Sequence, residues 1–111
     1  MKEYPFVYIS PHSMPDATRA VIVLPEIYGL NRFIKSVADR AAQELHAIGL
    51  GLDHFFAANG KKNVVEYSEY DKGASLMSQV TGEAYLELFR QALDGIERTY
   101  PAITQVVVLG F

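Results

Sequence analysis

The sequence of 111 residues predicts a single α/β domain of three layers, with a mainly parallel sheet and helices on both of its faces. Two kinds of segment support this prediction. Residues 20–24 and 105–111 are apolar with little alternation, which is typical of strands buried on both faces. Between them, two stretches repeat apolar residues at the spacing of an amphipathic helix. Helices that alternate with such strands indicate parallel pairing, because parallel neighbours need a crossover connection.

The N-terminal half begins with a predicted strand at residues 6–10, which are mostly β-branched or aromatic. Residues 11–18 are rich in Pro, Ser and Asp, and are predicted to connect it to the apolar strand at 20–24. Asn31 is a favourable N-cap, and a helix is predicted behind it because the apolar residues there share one face. These residues are Phe33, Ile34, Val37, Ala38, Ala41, Ala42 and Leu45.

The C-terminal half contains a second predicted core strand at residues 50–56, although two glycines weaken its pattern. Residues 64–80 contain a loose helical stripe that Gly73 interrupts. A clearer helix begins near Thr81 and ends at a Tyr-Pro pair, and a last strand follows at 105–111. The apolar face of the clearer helix consists of Tyr85, Leu88, Phe89, Ala92, Leu93 and Ile96.

Composition disfavours several classes of partner. The net charge of −3 argues against a nucleic acid, because phosphate binding needs clustered Lys and Arg. Lys61-Lys62 is the only adjacent basic pair, and its polar surroundings predict a solvated loop. No apolar run approaches the roughly 20 residues of a membrane helix, and residues 1–5 lack the apolar stretch of a signal peptide. A cytoplasmic location is therefore expected.

Motifs for metals and common cofactors are missing from the sequence. There is no Cys, and His12, His46 and His54 share no metal-ligand spacing, so no metal site is expected. No cofactor is expected, because neither Gly-x-Gly-x-x-Gly nor a P-loop occurs. No Gly-x-Ser-x-Gly elbow is present. His54 adjoins Asp53, but neighbours on a strand point to opposite faces, which disfavours a catalytic pair.

One segment carries a specific resemblance. Residues 20–29 read AVIVLPEIYG and are followed by Leu30-Asn31, and residues 106–111 read VVVLGF. The chain resembles the dienelactone hydrolase family of α/β-hydrolases, in which an apolar strand runs into a Glu-Ile-aromatic-Gly loop. In that family a later strand enters the nucleophile elbow, Gly-aromatic-Cys-x-Gly-Gly. The resemblance covers about residues 20–111, and its specific part is 26–31.

The resemblance implies a partial α/β-hydrolase fold that stops just before the elbow, so that the nucleophile, Asp and His lie beyond residue 111. The whole enzyme would hydrolyse a small-molecule ester or lactone, whereas these 111 residues alone would be inactive. Glu26 is implied to be a carboxylate beside the nucleophile, and its loop position predicts partial desolvation. Ile27 is implied to supply an oxyanion-hole N–H. Tyr28 and Gly29 are candidate binding residues: Tyr28 either walls the pocket or packs, and Gly29 allows a tight turn.

The sequence departs from the family pattern at three places. His46 stands where the family has a glycine after the first helix, unless Gly49 takes that role. Leu52 stands in place of the proline before Asp53. Residues 59–80 contain no arginine to bind a substrate carboxylate. The substrate and the type of nucleophile, Cys or Ser, stay open.

Two other interpretations stay open. The chain could be a non-catalytic α/β binding or oligomerisation module that retains the oxyanion loop. In either case the apolar strand at 105–111 is expected to be left uncovered and so predicts self-association, because such a strand at a sheet edge offers unpaired backbone groups. A flavodoxin-like or response-regulator-like domain is a weaker fit. It needs a phosphate-binding loop or an acidic cluster after the first core strand, and Glu26 alone is not such a cluster.

Overall fold

The structure is a computed structural model that describes residues 1 and 4–111, and it confirms the predicted α/β class. The elements in chain order are β1 (Val7–Ile9), β2 (Arg19–Leu24), α1 (Arg32–Leu45), β3 (Ile48–Leu52), α2 (Phe56–Asn59), α3 (Tyr70–Ser78), α4 (Gly82–Thr99) and β4 (Gln105–Gly110). None of the described helices combines the length and the hydropathy that a bilayer crossing requires.

The described strands form one mixed sheet in the order β1-β3-β2-β4. Strand β2 is parallel to both of its neighbours, with Ile22 opposite Leu50 in β3 and opposite Val108 in β4. Strand β1 runs antiparallel to β3, with Tyr8 opposite Gly51. The sheet is therefore mixed, with one antiparallel edge strand beside three parallel strands, an arrangement that is common in α/β proteins.

Helix α1 covers one face of the sheet and is capped at both ends. The Asn31 Oδ1 accepts a hydrogen bond from the Ile34 N–H at 3.0 Å, which confirms the predicted N-cap. At the other end His46 has φ 49° and donates its N–H to the Ala42 carbonyl, so it takes the left-handed position that glycine usually occupies. The buried residues on this face are Val21, Val23, Ile34, Ala38, Ala41 and Ala47.

Helix α4 packs against the opposite face. Its N-cap is Thr81, whose Oγ1 accepts from the Ala84 N–H at 3.0 Å. Ala20 and Ile22 of β2 alternate with the residues that face α1, so they point toward α4. The buried residues on this face are Tyr4, Phe6, Ala17, Ala20, Ile22, Ile48, Leu50, Leu52, Ala92 and Ile96. All six apolar positions predicted for α4 belong to this core or pack against it.

Strand β3 differs from its prediction at residues 50–56, because it begins two residues earlier and ends at Leu52. Gly49 lies inside the strand, and a Cβ there would be 2.1 Å from the Ala38 carbonyl oxygen. The missing side chain thus allows the backbone of α1 to lie directly on the strand.

Helix α3 also differs from the predicted stripe. Gly73 does not interrupt it, because Gly73 is buried and a Cβ there would lie 2.4 Å from the Ile27 carbonyl oxygen. The buried face of α3 carries Gly73 and Leu76. The predicted stripe ran through Tyr67, Tyr70, Ala74, Met77 and Val80, of which Tyr67 and Tyr70 are exposed.

Strand β4 pairs with β2 through all six of its residues, yet it is poorly covered by the rest of the chain. Val108 is 45% exposed on the α4 side and Leu109 is 39% exposed on the α1 side. The strand itself is thus as predicted. The burial on both faces that its apolar pattern suggests is not seen among the described residues, whereas the exposure agrees with the prediction that this strand is left uncovered.

The contact at Gly49 generates a stability prediction. We expect Gly49→Ala to lower the free energy of unfolding by about 2–3 kcal/mol, because the added methyl collides with the Ala38 carbonyl. Gly82→Ala is the matched control, since a Cβ there meets nothing within 4 Å, and it should raise that free energy by about 0.5 kcal/mol. Urea unfolding followed by circular dichroism measures both values. Equal stability of the two variants would contradict the assigned role of Gly49.

Candidate functional site

The segment after β2 forms a tight turn at the carboxyl edge of the sheet. The Gly29 N–H donates to the Glu26 carbonyl at 2.9 Å, which closes a four-residue turn with Ile27 and Tyr28 at its centre. Gly29 has φ 75°, a conformation that strongly favours glycine. The Asn31 N–H then donates to the Gly29 carbonyl at 2.9 Å, so the turn leads directly into the N-cap of α1.

Two close contacts fix this turn against the rest of the fold. A Cβ at Gly29 would lie 2.6 Å from the ring of Phe55, which is fully buried. The Ile27 carbonyl lies against Gly73 of α3 in the same way. The turn is therefore held from two sides by residues that are distant in sequence.

Glu26 and Ile27 are not enclosed in the way that residues of a closed active site would be. The Glu26 side chain is exposed, so the desolvation expected for this carboxylate is absent from the described part of the chain. The Ile27 side chain is half-buried, and its N–H donates no hydrogen bond to another described residue. A backbone donor at the centre of a fixed turn is thus free to bind an acceptor.

Tyr28 acts as a wall of a cavity of about 320 Å³ on the α1 side of the turn. Its ring packs edge-to-face on Tyr67, with the two centroids 4.9 Å apart. The Tyr67 hydroxyl in turn accepts a hydrogen bond from the Asn31 amide at 3.2 Å. Tyr28 thus packs on Tyr67 and also lines this cavity.

The carboxyl end of β4 lies beside the same turn. Leu24, the last residue of β2, is opposite Gly110, and the Phe111 N–H donates to the Leu24 carbonyl at 3.2 Å. The Phe111 ring packs edge-to-face on Phe33 of α1, with centroids 5.5 Å apart. The backbone that leaves β4 is therefore adjacent to the start of the turn after β2.

A second cavity of about 220 Å³ contains a polar group that the sequence reasoning did not assign. Asp53 lies at the carboxyl end of β3, is 6% exposed, and accepts a hydrogen bond from the Phe55 N–H at 3.2 Å. Burial raises the pKa of Asp53 to about 6, although this hydrogen bond and the charges of Lys62 and Lys35 act in the opposite direction. Its position after a buried strand was a usable signal, because ligand sites gather there. No such signal in the sequence marked Lys35 and Lys62, since each has the pattern of an ordinary solvated residue.

His54 points to the opposite side of the sheet from Asp53, which agrees with the prediction that they form no pair. Its ring packs on Phe55, with centroids 4.4 Å apart, and on Tyr85 of α4, at 5.9 Å. Burial lowers the pKa of His54 to about 4. The Nε2 atom has no hydrogen-bond partner among the described residues. His54 is thus a neutral core residue at neutral pH.

Metal-binding residues are not grouped in the part of the chain that the structure describes, where no set of three or more His, Asp or Glu side chains could hold an ion. No protein-family model, curated protein or solved structure matches the chain.

Asp53 and His54 impose opposite pH dependences on stability. His54 has a folded pKa of about 4 against an ordinary value of 6.5, so stability is lost as pH falls from 6.5 to 4. Asp53 has a folded pKa of about 6 against an ordinary value of 3.8, so stability is lost as pH rises from 3.8 to 6. Each pKa shift changes the free energy of unfolding by about 3 kcal/mol, and the two changes largely cancel between pH 4 and 6.

Single substitutions should separate these two effects. We expect Asp53→Asn to raise the free energy of unfolding by about 3 kcal/mol at pH 8, with the gain vanishing near pH 4. His54→Phe should instead reduce the loss of stability between pH 6.5 and 4. Urea unfolding of each variant from pH 4 to 8 tests this. A gain for Asp53→Asn that does not change with pH would show that Asp53 ionises normally in the fold.

Proposed function

We propose that the chain is the N-terminal portion of a hydrolase of the dienelactone hydrolase type, which cleaves ester or lactone bonds in a small molecule. In this proposal the finer fold is a three-layer α/β-hydrolase sheet, and the nucleophile, acid and His of the triad follow Phe111. The observation that carries it is the position of the carboxyl end of β4 beside the turn that follows β2.

The register between β2 and β4 supports this assignment. An oxyanion hole of this fold takes one N–H from the loop after β2 and a second from the residue that follows the nucleophile in the chain. That loop and the nucleophile must therefore be neighbours in space. Gly110 lies opposite Leu24, and residues that continue from Phe111 would start beside Pro25 and Glu26. The Ile27 N–H has no acceptor among the described residues, which leaves it available as the first donor.

The backbone after α1 supports it as well. The family pattern has a glycine there, and His46 occupies that position with φ 49°, a conformation in which glycine is favoured. His46 thus differs from the pattern in its side chain but not in its backbone. Asp53 follows β3, the parallel neighbour of β2, as the pattern requires.

The chemistry assigned to this chain is limited to two residues of the turn. When the nucleophile attacks the substrate carbonyl, charge develops on the carbonyl oxygen, and the Ile27 N–H donates a hydrogen bond to it. Glu26, exposed on the same turn, hydrogen-bonds to the nucleophile and helps to activate it. Tyr28 and Gly29 shape the turn on the substrate side.

Hydrolysis of p-nitrophenyl acetate by the native-length protein tests the role of the turn. We expect Ile27→Pro to lower kcat/KM by about 100-fold, because it removes the oxyanion donor. Proline suits this position, the second residue of a turn. Ile27→Val is the matched control, since it keeps the N–H, and should retain nearly full activity.

The length of the native protein supplies an independent check. The proposal requires an intact mass in the native host well above that of 111 residues, and no turnover by the 111-residue chain alone. Turnover by this chain that Glu26→Ala abolishes would contradict the proposal, because the triad would then be unnecessary.

The alternative function is a non-catalytic module that self-associates, and the exposure of β4 favours it. Residues 105–111 contain no charged side chain, and Val108 and Leu109 present apolar surface on both sides of the strand. In this alternative a second copy pairs with the free edge of β4, around a two-fold axis that joins the two sheets.

Light scattering at high protein concentration tests this alternative. We expect the 111-residue chain to be dimeric and Val108→Lys to be monomeric, because a charge on the exposed strand opposes pairing. Leu86→Lys is the matched control, since Leu86 is an exposed apolar residue on α4, and should stay dimeric. A monomeric parent chain would exclude self-association through β4.

A further inference from the structure

The cavity that contains Asp53 lies on the α1 side of the sheet, beyond the turn assigned above. Strand β1, the end of β3, helix α1 and the loop after α2 all contribute to its wall. Its lining residues are Pro5, Val7, Tyr8, Leu30, Lys35, Asp53, Lys62, Asn63 and Val64. Three of them, Leu30, Asn63 and Val64, also line the 320 Å³ cavity behind Tyr28. The two cavities therefore share one wall and form neighbouring parts of a groove.

Two ammonium groups and one buried carboxyl group line this cavity without touching one another. Lys35 comes from α1 and Lys62 from the loop, and both act electrostatically on Asp53. Neither lysine forms an ion pair within 4.0 Å of Asp53 in the described part of the chain. A ligand group in this cavity would therefore lie near both ammonium groups, and neither of them is neutralised by an ion pair with Asp53.

Tyr8 positions one of these lysines. The Lys35 Nζ lies 5.4 Å from the centre of the Tyr8 ring, which is within range of a cation–π contact. The Tyr8 hydroxyl donates to the Asp39 carboxylate at 2.8 Å, which fixes the ring. Burial and this Asp39 contact raise the pKa of Tyr8 to about 12, so Tyr8 stays protonated.

We propose that this cavity binds a small aromatic carboxylate, with its carboxylate between Lys35 and Lys62 and beside Asp53. The ring would lie on the apolar wall of Leu30 and Val64 and extend toward the Tyr28–Tyr67 pair. Two cationic donors favour an anion, and ionic hydrogen bonds of this kind are stronger than neutral ones. This binding site does not depend on the hydrolase function proposed above.

Asp53 makes the binding depend on pH. The other ionisable groups on this side are Lys35 and Asp39 of α1, Tyr8 of β1 and Lys62 of the loop, whereas His54 faces α4. An ionised Asp53 repels a bound carboxylate, and a protonated one donates a hydrogen bond to it. Affinity therefore rises as the pH falls through the range in which Asp53 gains its proton.

A titration of the isotope-labelled 111-residue chain with benzoate, followed by amide NMR shifts, tests the site. We expect shifts around Asp53, Lys35 and Asn63. Lys35→Gln and Lys62→Gln should each weaken binding by about three- to fivefold. Lys61→Gln is the matched control, because Lys61 is also exposed but does not line the cavity, and the benzoate affinity of this variant should be unchanged. Equal loss with all three variants would overturn the site in favour of unspecific attraction.

Asp53→Asn tests the role of the buried carboxyl group. An asparagine retains the acceptor for the Phe55 N–H and adds a permanent donor. Benzoate affinity at pH 7.5 should rise by about tenfold and lose its dependence on pH between 5 and 7.5. Benzylammonium is the charge-reversed probe and should not shift these amides. Binding of benzylammonium in place of benzoate, or an unchanged pH dependence in Asp53→Asn, would overturn the proposal.

Discussion

The close approach of α1 to β3 at Gly49 fixes how α1 lies on the sheet, and the turn after β2 leads directly into the N-cap of that helix. Because Gly49 has no side chain, the Ala38 carbonyl can lie directly against the strand. This contact sets the height of α1 above the sheet and so the place of its N-cap, Asn31. The turn from Glu26 to Gly29 spans the gap between the end of β2 and that cap. A bulkier strand residue would move the helix, the turn and both cavities together.

The turn itself is held by two further close contacts, Gly29 against Phe55 and the Ile27 carbonyl against Gly73. Both use a glycine to bring backbone near a neighbour, and neither needs a polar side chain. As a result the Ile27 N–H is fixed in space while its hydrogen-bonding capacity is unused among the described residues. A donor that is both ordered and unpaired is what electrostatic stabilisation of an oxyanion needs, since no reorganisation is required when charge develops.

Asp53 and His54 show how two consecutive residues can meet opposite environments. Asp53 enters a cavity with two lysines. His54 lies in the turn that the Phe56 N–H closes on the Asp53 carbonyl, and it enters an aromatic core. Burial disfavours the charged form of both, which raises the pKa of the acid and lowers that of the base. The stability lost through His54 grows as pH falls, and the stability lost through Asp53 grows as pH rises over nearly the same range. The carboxyl group is the one that remains near solvent-accessible space, so it is the one available for binding.

The sequence by itself determined the α/β class, the helices α1 and α4, the cap of α1 at Asn31, and the tight turn at Gly29. These features follow from local rules, namely apolar periodicity, capping chemistry and backbone preference. Only the tertiary structure decided that β3 begins two residues early, that Gly73 is a contact inside α3, and that Glu26 is exposed. It also brought Lys35, Asp53 and Lys62 to one cavity. Each of these outcomes depends on contacts between residues far apart in the chain, and local pattern carries no information about such contacts.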